Sequence, residues 1–247
     1  MDPIEGLTPM STIYATRAEL YDVIYAWKDY RAETLRIAEH LGALGVRPGS
    51  RILEAACGTG NHLEHLRHIY DVSGFDLNQP MVDVAWAKLP GVPLRVADMS
   101  NFTVDHPYDA LLCLFSSIGY LPGESALRAA ARAFAAAVRP GGALIVEPWI
   151  APEDWVVDRP FMTVHDKPDL RLCRMNTSGR DGAYAVMDMH WLVGRKGHPV
   201  EHFVEHHRMW MCPRETMRAV FEDAGFTTRF ESDGFTRDRG LFLGVRR

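Results

Sequence analysis

An α/β fold is what this sequence predicts: a mostly parallel sheet with helices on both faces, plus an inserted antiparallel meander. Three observations carry that expectation. Short apolar runs alternate with helix-period segments from about Tyr21 to Pro148. After Trp149 the texture becomes strand-like, divided by glycine-containing turns. One further helix pattern and two strand patterns follow Cys212.

Each element can be justified in order. "SRILEAA", after the turn Arg47–Gly49, reads as a buried strand, and "GNHLEHLRHI" sets Leu63, Leu66 and Ile69 at helical spacing. "DVSGFDL" is a second strand, and "QPMVDVAWAKL" a helix opened by Pro80. "LRVADM" and "YDALLCLFSS" read as strands, "ESALRAAARAFAAAV" as an Ala-rich helix stopped by "RPGG", and "ALIVEP" as another strand. Strands that alternate with helices need crossovers, which make a parallel, Rossmann-like sheet. Ligands of such sheets sit beyond the carboxyl ends of the strands, here "EAACGTG", "FDL", "ADM", "FSSIGY" and "EPW". Between residues 170 and 211, "SGRDG" and "GRKGHP" separate strand-like runs into a meander. "RETMRAVFEDAG" is a helix closed by Gly225, and "TTRFESDGF" and "GLFLGVRR" are the last strands. The chain divides into 1–149, a ligand-binding core with an N-terminal lid; 150–212, an inserted covering sheet; and 213–247, which completes the core sheet.

Bulk properties narrow the function classes. A net charge of −5 argues against a general nucleic-acid binder, because neutralising phosphates needs a basic face. No apolar run approaches about 18 residues and no signal-like segment opens the chain, so a cytoplasmic protein without a membrane partner is expected. The four cysteines form no C-x-x-C pair, which suits a reducing compartment.

"LEAACGTGNH" puts Gly58 and Gly60 between a strand and a helix, where bare backbone admits a ligand and the helix start offers N–H donors. An ordinary tight turn would look the same. Two acids sharpen the reading: Asp76 ends the next strand, where a carboxylate can hold ribose hydroxyls, and Asp98 with Met99 ends the third, beside an adenine. Each could equally bond nearby backbone. Leu63 stands where a nicotinamide fingerprint needs glycine, and Glu54 suits a cation better than a diphosphate. The loop favours an adenosine ligand that carries positive charge.

These features together, with "RPGGALIVE", resemble the class I S-adenosylmethionine-dependent methyltransferases; Ala56 replaces one common glycine. "AELYDVIY", "KDY", "FSSIGYL", "VEPW" and "RGLFLGV" narrow the resemblance to nucleotide-activated amino-sugar N-methyltransferases, N,N-dimethyltransferases of antibiotic sugar biosynthesis. The resemblance implies S-adenosyl-L-methionine as cofactor and a small-molecule substrate, the amine of a nucleotide-linked sugar with dTDP expected; a homodimer is left open. It implies that Glu54, Ala56, Cys57, Gly58 and Gly60 surround the cofactor's amino-acid end, with Tyr21 and Tyr30 over its carboxylate. Asp76 would bind ribose, Leu77, Met81, Asp98 and Met99 would enclose adenine, and Phe115 would floor the methyl-transfer site. Tyr14 would belong to the same lid, its aromatic face suited to a sulfonium. Trp149, His206, Arg208 and Arg239 are the expected substrate contacts. Arg239 suits phosphates but is equally readable as a solvated hairpin arginine.

In-line methyl transfer is mainly a matter of alignment, which can supply roughly 7–11 kcal/mol. The amine must arrive neutral, so a proton acceptor or a route to water is needed. Tyr14, Tyr120, Glu147 and His190 are the candidates. Tyr120 stands where that family often carries His, so orientation by Tyr14 and Tyr120 is expected, with water removing the proton. Glu147 reads equally as a strand-end group bonding backbone, and His190 as a structural or pocket-lining residue. A methyltransferase of another small natural product, and a binding protein without turnover, are the alternatives.

One motif competes from another class. His202, Glu205 and His206 spell H-x-x-E-H, a zinc-hydrolase spacing that needs a helix. Phe203 and Val204 favour a strand, with Pro199 before and Pro213 after, so no metal is expected. A strand sends His206 and Arg208 to one face and Glu205 and His207 to the other. Either face could line the substrate pocket.

Overall fold

The computed structural model describes residues 13–14, 17–236 and 238–247. Two helices, Ala18–Ile24 (α1) and Tyr30–Ala43 (α2), precede the first strand, Arg51–Ala55 (β1). Asn61–Leu66 (α3), Asp71–Asp76 (β2), Gln79–Lys88 (α4), Leu94–Val96 (β3) and Tyr108–Cys113 (β4) follow. A 3-10 turn at Ser117–Tyr120 leads to Glu124–Ala137 (α5) and Val138–Val146 (β5). Pro160–Lys167 (β6), Leu170–Asp181 (β7), Tyr184–Arg195 (β8) and Glu201–Trp210 (β9) form a separate antiparallel sheet in that order. Arg214–Asp223 (α6), Phe226–Glu231 (β10) and Leu241–Arg246 (β11) complete the first sheet.

The first sheet has the order β10-β11-β5-β4-β1-β2-β3 and is parallel except for β11, which runs against both neighbours. Side-chain alternation builds a core on each face. Leu53, Leu111, Leu144 and Phe242 point to one face with α5 and α6, where Leu127, Phe134 and Phe221 are buried. Ile52, Leu112, Ile145 and Leu243 point to the other, against Ile37, Leu63 and Val82 of α2, α3 and α4. Among the described residues no helix is long and apolar enough to cross a membrane.

Two local expectations change. "RPGG" does not stand as a loop between helix and strand, because β5 begins at Val138 and carries it as an irregularity. Tyr108 pairs with Val138, and the register resumes only at Ala110 with Ala143. Second, the antiparallel sheet has an extra edge strand, β6, paired to β7 from Pro160↔Thr177 to Lys167↔Leu170. Thr163 and His165 are half-buried and the rest of its side chains exposed, so "FMTVHDK" lacks a fully buried stripe by which a strand is usually read.

The two sheets meet at the 3-10 turn. A Cβ on Gly119 would lie 2.8 Å from Trp149 Cβ and 3.1 Å from Met209 Cε, so only glycine lets β9 close on the core here. Helix α1 packs Leu20 and Ile24 against Leu172, Trp191 and Val193 of the antiparallel sheet.

Candidate active site

Strand order reverses between β1 and β4, since one crossover leads to β2 and the other to β5. The loops after β1 and β4 therefore splay apart at their carboxyl ends and open a crevice. Both loops adopt left-handed backbone. Ala56, Gly58 and Gly60 have φ of 56°, 56° and 78°, and Phe115 and Ser116 have 52° and 63°. Three of these are not glycine and carry strain, a pattern concentrated at functional sites.

The two loop glycines have different duties. A Cβ on Gly60 would collide with Leu89 Cδ1 at 2.6 Å, so Gly60 seats the loop against α4. Gly58 faces the crevice, and its N–H donates to Asp76 Oδ2 at 2.9 Å. Asp76 Oδ1 accepts the Asn78 N–H at 2.9 Å. Burial raises the Asp76 pKa despite these donors.

The crevice is a cavity of about 850 Å³. Asp76, Leu77, Met81, Asp98 and Met99 line it. Tyr14, Tyr21, Phe115, Tyr120, Trp149 and Arg239 line it as well, with the Arg239 guanidinium 5.4 Å from the Phe115 ring centre. Asp98 Oδ1 is occupied by the Ser100 N–H and hydroxyl, both at 2.8 Å. Arg239 donates to the neutral Ser116 Oγ at 2.9 Å, and its guanidinium lies 4.8 Å from the Trp149 ring centre.

A smaller chamber of about 30 Å³ adjoins it, lined by Tyr21, Tyr30, Glu54, Cys57, Gly58 and His62 among others. Here Nε2 of His62 stands 3.0 Å from Glu33 Oε2, and Nδ1 stands 3.3 Å from Glu54 Oε1. A carboxylate faces each ring nitrogen, and only an imidazolium donates to both. Burial opposes that charge, but Glu33 and Glu54 prevail and hold the pKa at about 9. Lys28, itself buried, also pairs with Glu33. The second Glu54 oxygen, Oε2, is buried without a hydrogen-bond partner. An acceptor of this kind beside bare loop backbone suits the ammonium of an amino-acid ligand.

Sequence-predicted residues sort cleanly on this geometry. Tyr14, Tyr21, Ala56, Gly58, Asp76, Leu77, Met81, Asp98, Met99, Phe115, Tyr120, Trp149 and Arg239 line the larger cavity, and Tyr30, Glu54 and Cys57 the smaller. Glu147 is not available as a base: Oε2 accepts the Phe115 N–H at 2.7 Å and Oε1 the Thr236 N–H at 3.0 Å, which anchors the β4 loop and the segment before β11. His190 lies on the outward face of β8, exposed and stacked on His202 at 5.6 Å. Arg208 also points outward, pairing with Asp181 and covering the Tyr184 ring. His206 touches the cavity rim, yet its side chain is 67% exposed and bonds Asp188 at 2.7 Å. The inward face of β9 is instead Glu205, His207 and Met209. His202 and Glu205 accordingly point apart, and the H-x-x-E-H spacing gathers no ligand set.

Three groups escaped the sequence reading. Asp22 of α1 accepts from Thr59 at 2.6 Å, Asn61 at 2.9 Å and Lys88 at 2.8 Å, and so ties α1 to the glycine loop and α4. Glu33 and His62 meet only because α2 and α3 pack side by side, and no local spacing announces that. The alternation of β9 pairs His207 with Glu205 on one face, but no local pattern says that this face turns inward.

Two outcomes follow from the strained loop and the buried charges. Ala56→Gly should stabilise the fold by about 0.5–1 kcal/mol in urea unfolding, because it relieves a left-handed alanine; a loss of stability would contradict this. The folded His62 pKa of about 9 exceeds its ordinary 6.5, so the imidazolium contributes fully below about pH 6.5 and fades as pH rises through about 9. Wild type should exceed His62→Gln by on the order of 2–3 kcal/mol at the acid side of that window. A stability gap that stays constant to alkaline pH would refute the charge assignment.

Comparison with known proteins agrees with this geometry. The family described as "Methyltransferase domain" matches residues 52–142. The chain is 34% identical over 231 residues to the dTDP-3-amino-3,6-dideoxy-alpha-D-glucopyranose N,N-dimethyltransferase of Streptomyces fradiae, covering 92% of this chain and 90% of that one. It is equally similar, at 34%, to the dTDP-3-amino-3,4,6-trideoxy-alpha-D-glucopyranose N,N-dimethyltransferase of Streptomyces venezuelae, covering 92% and 97%. The crystal structure of DesVI from Streptomyces venezuelae superposes with a TM-score of 0.88 at 33% identity, covering 94% of this chain and 99% of that one. The glycine loop, its two acids and the covering sheet are thus parts of one whole-chain likeness, and the protein belongs to the S-adenosyl-L-methionine-dependent methyltransferases, in the family of the dTDP-amino-sugar N,N-dimethyltransferases.

Proposed function

We propose that the protein methylates the amine of a nucleotide-linked amino sugar, with dTDP as the nucleotide. The observation that carries this reading is that one cavity gathers the cofactor acids, a pair of tyrosine hydroxyls and a guanidinium over an indole. The labour divides along the chain, with 1–149 holding the cofactor, 150–212 covering the substrate and 213–247 completing the sheet.

Bound here, S-adenosyl-L-methionine supplies an electrophilic methyl carbon on a sulfonium. Asp76 holds the ribose hydroxyls, while Leu77, Met81, Asp98 and Met99 enclose the adenine. Glu54 Oε2 accepts the ammonium, which its lack of any other partner supports. Tyr21 and Tyr30 close over the carboxylate, and Tyr21, Tyr25 and Phe115, packed ring on ring at 4.7 and 4.9 Å, give the cavity an aromatic surface suited to a cation. Arg239 takes the phosphates, held in place by Ser116 and by the Trp149 face. Tyr14 and Tyr120, whose hydroxyls lie 3.2 Å apart, orient the amine. Fixing both reactants in line is the main source of rate.

Incubation with S-adenosyl-L-methionine and dTDP-3-amino-3,6-dideoxy-alpha-D-glucopyranose should add methyl groups to nitrogen, read by mass spectrometry. Methylation of another small amine or hydroxyl, with none on dTDP-amino sugars, would overturn the substrate. Arg239→Met should raise KM for the nucleotide sugar by about 10–100-fold with kcat nearly unchanged, the worth of a charged hydrogen bond. An unaltered KM would remove Arg239 from the phosphate site.

A further inference from the structure

The wall of the large cavity behind Tyr120 holds a line of buried polar groups that ligand binding alone does not need. The Tyr120 hydroxyl is 2.8 Å from His207 Nδ1. His207 Nε2 stands 3.7 Å from Glu205 Oε2. Glu205 Oε1 accepts the Ile13 N–H at 2.5 Å. Glu205 and His207 are only 1% and 5% exposed. Positions 205 and 207 share the inward face of β9, so the strand itself sets the two in line.

We propose that Tyr120, His207 and Glu205 form a proton exit for the methyl-accepting amine, in which His207 stores the proton. This rests on the amine-methyltransferase reading above. The substrate arrives as an ammonium. An N–H of that ammonium donates to the Tyr120 oxygen, and the Tyr120 proton passes to His207 Nδ1. The N–H bond breaks, the amine keeps the electron pair, and Tyr120 ends as neutral as it began. His207 becomes an imidazolium with Nε2–H toward the Glu205 carboxylate, which offsets the buried charge. The stored proton returns through Tyr120 to water once the product has left.

The surroundings fit each role. Burial raises the Tyr120 and Tyr14 pKa values above the usual phenol range, so both phenols stay neutral and neither holds the proton in place of His207. Tyr14 bonds Tyr120 at 3.2 Å and lays its ring edge-on to His207 at 6.1 Å. Met187, the β8 partner of His207, is apolar and buried, so it offers the imidazole no competing hydrogen bond. Tyr120 touches the substrate and is a catalytic residue in this scheme; His207 and Glu205 act through it.

Two measurements on the full chain test the line. Nitrogen-15 NMR of histidine, without substrate, should show His207 as the Nε2–H tautomer, with an Nδ1 signal that moves in Tyr120→Phe. The opposite tautomer would overturn the proposal whatever the substrate proves to be. In kinetics, His207→Asn keeps an acceptor for the Tyr120 hydroxyl but cannot store a proton. Its kcat should fall about 100-fold or more, while KM and cofactor Kd change less than about threefold. His202→Asn, on the outward face, should be unchanged. A His207→Asn enzyme with near-normal kcat would show that the imidazole merely steadies Tyr120. If wild type methylates no dTDP-amino sugar, the substrate reading fails separately, and the tautomer still decides the relay.

Discussion

Two carboxylates closed on one imidazolium form the interaction around which this site is arranged. Glu54 is the penultimate residue of β1, one of the two strands at the reversal of sheet order, and Glu33 comes from a helix on the sheet's flank. Brought together without His62, they would place like charges in a poorly hydrated space, and one would protonate. With His62 charged between them, and Lys28 beside Glu33, the Glu33 carboxyl is held below its usual range despite its burial. One oxygen of Glu54, a residue that lines the small chamber, is left without a hydrogen-bond partner. The same cluster holds α2 and α3 against the end of β1, so the electrostatics of cofactor recognition and the packing of the core are one construction.

Strain at the crevice follows a similar economy. The sharp reversals after β1 and β4 require left-handed backbone at Ala56, Phe115 and Ser116. Glu147 compensates by accepting backbone N–H groups of both the β4 loop and the segment before β11. A carboxylate that accepts two backbone donors in a buried site is a strong restraint. It accounts for an acid at a strand end that has no chemistry of its own.

Much of this was legible in the chain. Alternating runs announced the parallel sheet, and Gly58, Gly60, Asp76 and Asp98 lie where the strand ends put them. These signals are local, since each is a residue type at a fixed distance from a strand end. What stayed hidden depends on distant segments. Nothing near His62 in sequence discloses Glu33 across a helix pair, and nothing near Tyr120 discloses His207. The parity of β9 was readable, but not which parity faces inward, because that is decided by packing of Met209 on Gly119 and Trp149. His190, Arg208 and Glu147 failed as site residues for the same reason. Their residue types suited the chemistry, and their tertiary partners did not.

Helix α1 has a consequence for how the two sheets keep their places. Asp22 fastens it to the glycine loop and to α4, while Leu20 and Ile24 rest on the antiparallel sheet. Seven residues therefore join the parallel core to its covering sheet, and any change that unseats them disturbs the glycine loop and the cover together.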